Sequence, residues 1–107
     1  MVRIAAIYPC TGGDRFDMDY YLNIHLPVVC LKFAPYGLSK IEVDKPLESP
    51  GGSSSPFYAI GYLYFPSLQH FQQAYAAVGA EVTADWTKYT DVKPLIQVGD
   101  VKHVKEI

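Results

Sequence analysis

The feature that most constrains the fold is the uncharged run Phe57–Phe65, which reads FYAIGYLYF. Its length suits one strand, and both of its faces are apolar or aromatic, so it predicts a strand buried on both sides. Residues 2–8 are also mostly apolar on both faces, whereas residues 38–45 alternate apolar and charged side chains. Because a charged face is typical of an edge strand, we expect the first two runs at the centre of a sheet and the third at its edge.

A helix is predicted between the first two strands, from an N-cap at Asp17 to about Ala34. Its apolar stripe recurs every three to four residues and includes His25. Pro27 lies inside the helix, where proline removes a backbone donor and crowds the preceding turn. We therefore expect a kink just beyond His25.

The C-terminal half supplies a second helix and a last strand. Ser67 is expected to cap a helix that ends at Gly79, and residues 80–89 to form a further short helix. Residues 94–104 alternate loosely and predict the final strand, with a bulge at Gly99.

The predicted order βαββαβ is the ferredoxin-like pattern, an α+β fold with a four-stranded antiparallel sheet. We expect one domain over residues 1–107, with loops at 9–15 and, flexible and rich in Gly and Ser, at 46–56. Two helices cover one face of such a sheet, yet the central strands are apolar on both faces. A second copy must cover the other face, which predicts a homodimer of the dimeric α/β barrel type.

Composition argues against several classes of partner. The net charge is −2 and the nine Lys and Arg residues are scattered, so we expect no nucleic-acid partner. The longest apolar run is too short for a membrane span, and no signal peptide is expected, so the cytoplasm is the predicted location. The histidines lack metal-ligand spacing and no nucleotide-binding motif occurs, so neither a metal nor a cofactor is expected.

His25 is the leading candidate for catalysis. An imidazole titrates near neutral pH, and burial among aromatic side chains lowers its pKa, which keeps it neutral and ready to accept a proton. The alternative is a core histidine that only bonds a tyrosine or a carbonyl freed near the kink. The pattern of one lone histidine leaves both interpretations open.

Aromatic side chains form the predicted pocket around His25. Nine tyrosines are many for 107 residues, and a buried hydroxyl needs a polar partner, water or ligand. Alternation along a strand separates two faces of Phe57–Phe65 without deciding which face lines the pocket, although Ala59 and Gly61 leave room under the helices. Two of the candidates, Trp86 and Tyr89, are interpreted either as a lid or as ordinary packing. The predicted substrate-binding residues are Tyr8, Phe16, Tyr21, Tyr62, Tyr64, Trp86 and Tyr89.

Three segments resemble the EthD family of the dimeric α/β barrel superfamily. They are residues 16–27 (FDMDYYLNIHLP), residues 59–65 with the Ser-capped helix after them, and residues 89–98. The resemblance implies a ferredoxin-like subunit, a homodimer, a pocket between helices and sheet, and His25 as the leading functional residue. The superfamily includes cofactor-free monooxygenases, lactone isomerases and polyketide cyclases or dehydratases, so the resemblance indicates fold more firmly than reaction.

Three functions remain open from the sequence. The first is a cofactor-free enzyme, a dehydratase, cyclase, isomerase or monooxygenase, that uses His25 as acid and base on an aromatic or polyketide-like molecule. The second is a protein that binds the same ligand without turnover, with His25 only as a hydrogen-bond partner. The third is an accessory protein of a degradation or oxidase pathway.

Overall fold

The computed structural model describes residues 1–10 and 15–107. In this part of the chain the strands are β1 (Val2–Pro9), β2 (Lys40–Asp44), β3 (Phe57–Phe65) and β4 (Leu95–Asp100). They form one antiparallel sheet in the order β2–β3–β1–β4. The predicted ferredoxin-like arrangement is confirmed, with the two most apolar strands at the centre. The part of the predicted 9–15 loop that holds Gly12 and Gly13 lies outside the described residues.

Strand register decides which side chains face the helices. Tyr8 pairs with Ala59 in the β1–β3 ladder, and the register shifts between Tyr8 and Pro9. The β1–β4 ladder pairs residue for residue through Gly99, so the predicted bulge at Gly99 is wrong. A bulge needs an extra residue on one strand, and this ladder has none.

The first helix is built from three consecutive pieces. These are α1 (Met18–Tyr20), a π-helical turn (Tyr21–His25) and α2 (Leu26–Phe33). The Asp17 cap is present, since Asp17 Oδ1 accepts the Tyr20 N–H at 3.0 Å. The π-helical turn ends two residues before Pro27, and the Leu26 N–H donates to the Tyr21 carbonyl. The distortion expected at the proline therefore takes the form of a widened turn.

The second helix, α3 (Leu68–Thr83), begins at the predicted Ser67 cap, whose hydroxyl accepts the His70 N–H at 3.2 Å. The prediction that it ends at Gly79 is wrong, because the helix continues for one more turn. A Cβ at Gly79 would lie 2.8 Å from the ring of Tyr75, so the glycine makes room for that ring. A short 3-10 helix, Trp86–Lys88, follows in place of a longer third helix.

The apolar core lies between the helices and one face of the sheet. The helices leave the edge strand β4 uncovered on this side, where Ile96 is 58% exposed. None of the helices in the described residues is long and apolar enough to cross a bilayer. The buried residues at the centre of the core are Val2, Ile4, Val29, Phe33, Phe65, Ala74 and Val82.

Candidate functional site

Tyr21 and His25 lie at the two ends of the π-helical turn and are both buried, with 2% and 6% of their surfaces exposed. Their rings stack, with centroids 5.6 Å apart and planes inclined by 19°. Turns of this kind are frequent at functional sites in helices. The widened turn therefore carries both Tyr21 and His25, the two side chains that approach the sheet.

Three buried tyrosine hydroxyl groups meet beside these rings. The Tyr8 and Tyr89 oxygens are 2.7 Å apart, and the Tyr21 hydroxyl interacts with that of Tyr8. Burial is the largest cause that raises the pKa of all three above the ordinary value for tyrosine, so all three stay protonated at neutral pH. Three hydroxyls joined by two hydrogen bonds leave one O–H to donate elsewhere, which provides a hydrogen-bond donor at this point.

The segment after α3 is tied to the start of the first helix. The Arg15 guanidinium donates to the carbonyls of Thr87 at 2.9 Å and Lys88 at 3.1 Å. The Asp17 N–H donates to the Tyr89 carbonyl at 2.7 Å. Tyr89 is 1% exposed and bonded at both its backbone and its hydroxyl, so it forms a fixed wall of the site rather than a lid.

His25 is paired with a carboxylate. Its Nδ1 lies 3.4 Å from Oδ2 of Asp85. Burial lowers the pKa of His25 more than Asp85 raises it, so the imidazole is neutral at neutral pH. Burial acts to raise the pKa of Asp85, but hydrogen bonds from Tyr20, His25 and Lys88 outweigh it and hold that pKa below its usual value. The pair is thus a neutral base beside an ionised carboxylate.

A cavity of about 140 Å³ lies between the helices and the sheet, next to this pair. On β3 it faces Gly61 and Leu63, which decides the question that alternation along the strand left open. Its surface is almost entirely apolar, and the lining residues that carry polar side-chain groups are His25, Thr83, Trp86 and the tyrosines. The lining residues are Ile4, Ala6, Tyr8, Tyr21, His25, Leu26, Val29, Phe33, Ile41, Gly61, Leu63, Phe71, Tyr75, Val82, Thr83, Trp86, Tyr89, Pro94 and Ile96.

Most of the predicted site residues come together at this cavity. Those that line it are His25, Tyr8, Tyr21, Trp86 and Tyr89. Phe16 packs behind them, with its ring centroid 5.1 Å from that of Tyr8 and 5.4 Å from that of Tyr21. Strand alternation predicts Tyr58 on the face of Tyr62 and Tyr64. Beside the register shift at Pro9, however, its ring stacks on that of Phe16, with centroids 5.8 Å apart.

Tyr62 and Tyr64 lie away from the cavity. Arg3 sits over the Tyr62 ring at 4.6 Å, and the Tyr64 hydroxyl donates to Glu42 at 2.6 Å. Side chains alternate along a strand, so these two tyrosines point to the sheet face opposite Gly61 and Leu63. The expectation that they share one pocket with His25 does not hold within a single chain.

Sequence reasoning missed Asp85 and Tyr20. The Tyr20 hydroxyl donates to Asp85 Oδ1 at 3.1 Å, on the far side of the carboxylate from His25. Asp85 follows α3 without belonging to any motif, and sixty positions separate it from His25. Only the tertiary structure distinguishes it from an ordinary surface acid.

Candidate metal ligands are dispersed in the described part of the chain. No group of three or more His, Cys, Asp or Glu side chains there is arranged to hold a metal ion. His70 and His103 are exposed, and Cys10 and Cys30 are exposed free thiols.

The fold and the site together define a class: small ferredoxin-like α+β subunits with a histidine in an apolar cavity between helices and sheet. The EthD domain model matches residues 14–93, which is most of the chain. The chain belongs to the EthD family.

Solved structures agree with this assignment. An EthD-like protein from Ralstonia eutropha is 30% identical with a TM-score of 0.88, covering 97% of this chain and 94% of that one. An EthD-family protein from Bacillus halodurans is 25% identical with a TM-score of 0.76, covering 95% and 99%. HapK from Hahella chejuensis is 11% identical with a TM-score of 0.60, covering 100% and 98%, and shares the fold alone. No curated protein matches the chain.

Proposed function

We propose that this protein is a cofactor-free enzyme in which His25 moves a proton on a small apolar molecule that carries a carbonyl or phenol oxygen. One observation carries the proposal: a histidine with a buried neutral imidazole and tyrosines with buried protonated hydroxyls line the same apolar cavity. A neutral imidazole accepts a proton, and a protonated phenol donates a hydrogen bond to an oxygen that becomes negative. These two capacities together support chemistry at a carbon next to a carbonyl.

In the proposed reaction, His25 takes a proton from the carbon beside the carbonyl, and the C–H electron pair forms an enolate. A hydroxyl of the Tyr8–Tyr89 pair, or that of Tyr21, stabilises the enolate oxygen. Return of the proton at another carbon gives isomerisation, and its transfer to a leaving hydroxyl releases water and gives dehydration. Attack of the enolate carbon on a second carbonyl of the same molecule forms a carbon–carbon bond, the C=O π electrons become an alkoxide, and the alkoxide takes the proton back from His25, which gives cyclisation. A cofactor-free oxidation, with molecular oxygen as the co-reactant, starts from the same deprotonation.

The size of the cavity limits the substrate. At about 140 Å³ it is smaller than the roughly 300 Å³ of ordinary ligand pockets, and close to the engineered cavity of about 150 Å³ that binds benzene. A single ring therefore fits inside. Tyr75 and Ile96 line the cavity yet are 51% and 58% exposed, so a longer, polyketide-like substrate would extend outward between α3 and β4.

We also propose that the protein works as a homodimer, with residues 1–107 acting as one domain in the cytoplasm. The sheet face opposite the helices carries the half-buried apolar side chains of Ile7 and Ile60, and burying apolar area favours association. Light scattering during size-exclusion chromatography is expected to give about twice the chain mass of 11.9 kDa. A mass equal to one chain would contradict the dimer.

Cyclohexanone, a single-ring ketone, is a suitable probe of the proposed chemistry. In deuterated buffer, proton NMR follows exchange of the hydrogens beside its carbonyl, and fluorescence of Trp86, the single tryptophan and a cavity residue, follows binding. Because general acid–base catalysis contributes about 10²–10⁴-fold, His25→Gln should lose at least about tenfold of the protein-dependent exchange rate. His103→Gln, a change in the exposed tail, is the matched control and should keep the wild-type rate.

The outcomes separate the candidate functions. Exchange that depends on His25 supports the enzyme. Quenching of Trp86 fluorescence by cyclohexanone or phenol without faster exchange supports the ligand-binding alternative and overturns the enzyme. If wild-type protein that gives a folded spectrum shows neither binding nor exchange, the proposal of a single-ring ligand for this cavity is overturned.

A further inference from the structure

We propose that Asp85 is a positioning residue that holds His25 in the tautomer with the proton on Nδ1, so that the Nε2 lone pair faces the substrate. The substrate-facing role rests on the proposed function. The tautomer itself follows from the arrangement of the side chains around the imidazole, and it is measurable without a substrate.

The direction of the hydrogen bond follows from chemistry. An ionised carboxylate only accepts hydrogen bonds, so His25 Nδ1, 3.4 Å from Asp85 Oδ2, must carry the proton for a bond to form. A neutral imidazole has a single N–H, so Nε2 is then the basic atom. The distance is at the long end of the hydrogen-bond range, as is common at catalytic histidines before a substrate binds.

The carboxylate itself is held from the opposite side. Its Oδ1 accepts from the Tyr20 hydroxyl at 3.1 Å and lies 3.4 Å from Lys88 Nζ, whereas its Oδ2 faces His25. Only 16% of the Asp85 side chain is exposed. With one oxygen engaged by two donors, the carboxylate has a single orientation that presents the other oxygen to the imidazole.

The opposite edge of the imidazole is open. No hydrogen bond to Nε2 forms among residues 1–10 and 15–107, and no side-chain nitrogen or oxygen sealed inside that part of the chain lacks a partner. Nε2 is therefore accessible to a small molecule. The titratable groups around the ring in the described structure are Tyr21 from its own helix and Asp85 and Tyr89 from the segment after α3, with Tyr20 and Lys88 behind Asp85.

Nitrogen NMR of ¹⁵N-labelled protein tests the proposal directly, because long-range ¹H–¹⁵N correlations identify which ring nitrogen carries the proton. Wild-type His25 should show the Nδ1–H tautomer at pH 7. In Asp85→Ala, the Nε2–H form should become the major tautomer. The His25 titration midpoint should move to lower pH in both Asp85→Ala and Asp85→Asn, because the carboxylate that stabilises the imidazolium is gone.

Two controls keep the result interpretable. Glu81→Gln makes the same acid-to-amide change on the exposed surface of α3 and should leave His25 unchanged. His103, exposed in the tail, is the internal reference in every sample. Asp85→Asn is nearly isosteric, so its titration decides the matter if Asp85→Ala does not fold.

A His25 that keeps the Nδ1–H tautomer in Asp85→Ala, or whose midpoint does not fall in Asp85→Asn, overturns the positioning role. Such a result leaves the exchange assay with His25→Gln untouched. Conversely, if the predicted tautomer change occurs but the hydrogens of cyclohexanone do not exchange, the pairing of His25 with Asp85 stands and the proposed enzyme function is overturned.

Discussion

Gly61→Ala tests whether the Tyr21 hydroxyl lies directly against β3. A Cβ placed at Gly61 overlaps that hydroxyl, and the next nearest atom is Tyr21 Cζ at 3.6 Å, an ordinary contact. Tyr21 is almost completely buried, and its ring packs against other aromatic side chains, so its hydroxyl can move away from Gly61 only by disturbing those contacts. Forcing a methyl group into such a packed site should lower the free energy of unfolding by about 1–3 kcal/mol.

Tyr21→Phe provides the second arm of a double-mutant cycle, because it removes only the overlapping oxygen. By itself it should lower the free energy of unfolding by about 1 kcal/mol, through the lost hydroxyl interaction. In the Tyr21→Phe background, Gly61→Ala should be neutral or stabilising by up to about 1 kcal/mol, since alanine suits a strand better than glycine. The coupling between the two positions, the difference between these two effects, should therefore be about 1–4 kcal/mol.

Urea unfolding at one fixed protein concentration measures these free energies, because the stability of the proposed dimer would depend on concentration. Gly99→Ala is the matched control: it also adds a methyl group to a strand, but its nearest neighbour, the Arg3 carbonyl oxygen, is 3.8 Å away. An effect of Gly61→Ala that is equal in the wild-type and Tyr21→Phe backgrounds would refute the contact.

Two further predictions concern the first turn of α3 and the ionisation of the site. Ser67→Ala removes the hydroxyl that caps α3 and should lower the free energy of unfolding by about 1 kcal/mol, seen as a lower Tm by circular dichroism. Burial lowers the pKa of His25 in the folded protein, so below about pH 6.5 the unfolded chain binds more protons than the folded one. The free energy of unfolding should therefore fall as pH drops from about 6.5 toward the folded-state pKa, and His25→Gln should remove that part of the slope in urea titrations; an identical slope in both proteins would contradict it.

The sheet could be predicted because the composition of each strand indicates how far the strand is buried. Phe57–Phe65 has no charged residue, and it forms a central strand, whereas the alternation in residues 38–45 belongs to an edge. Capping is equally local, since the hydroxyl of Ser67 and the carboxylate of Asp17 each bond a backbone amide three residues away. Such capping interactions can be predicted from a single sequence because both partners lie within one helical turn.

The structure departs from two predictions because a specific side-chain contact or a strand register overrides the usual preference of a residue type. Gly79 resembles a helix stop in the sequence, yet the ring of Tyr75 lies over it and the helix continues to Thr83. Strand alternation predicts Tyr58 on the face of Tyr62, but the register shift beside Pro9 brings it against Phe16. The first departure comes from a side chain four residues earlier in the same helix, and the second from the pairing of two strands that are distant in the sequence.

The candidate site shows the same division. Local spacing is enough to place His25 on the buried side of the first helix, and strand alternation marks Gly61 as a place with room beneath the helices. The pairing with Asp85 depends on how the chain after α3 returns to the first helix, which the hydrogen bonds from Arg15 to Thr87 and Lys88 establish. No periodicity in the sequence reports contacts between residues 15 and 88.

The distribution of charge around the cavity agrees with an apolar ligand and a reaction that creates charge. Before proton transfer, His25 and the tyrosine hydroxyls are neutral, and the one nearby carboxylate in the described residues, Asp85, lies behind the imidazole with Tyr20 and Lys88 around it. The wall that meets the ligand is therefore uncharged, and binding does not strip water from an exposed ion. In the proposed reaction, the positive charge that forms on His25 appears beside Asp85, while the negative charge forms on an oxygen that faces hydroxyl donors. Both charges are then stabilised more strongly in the transition state than in the bound substrate, as catalysis requires.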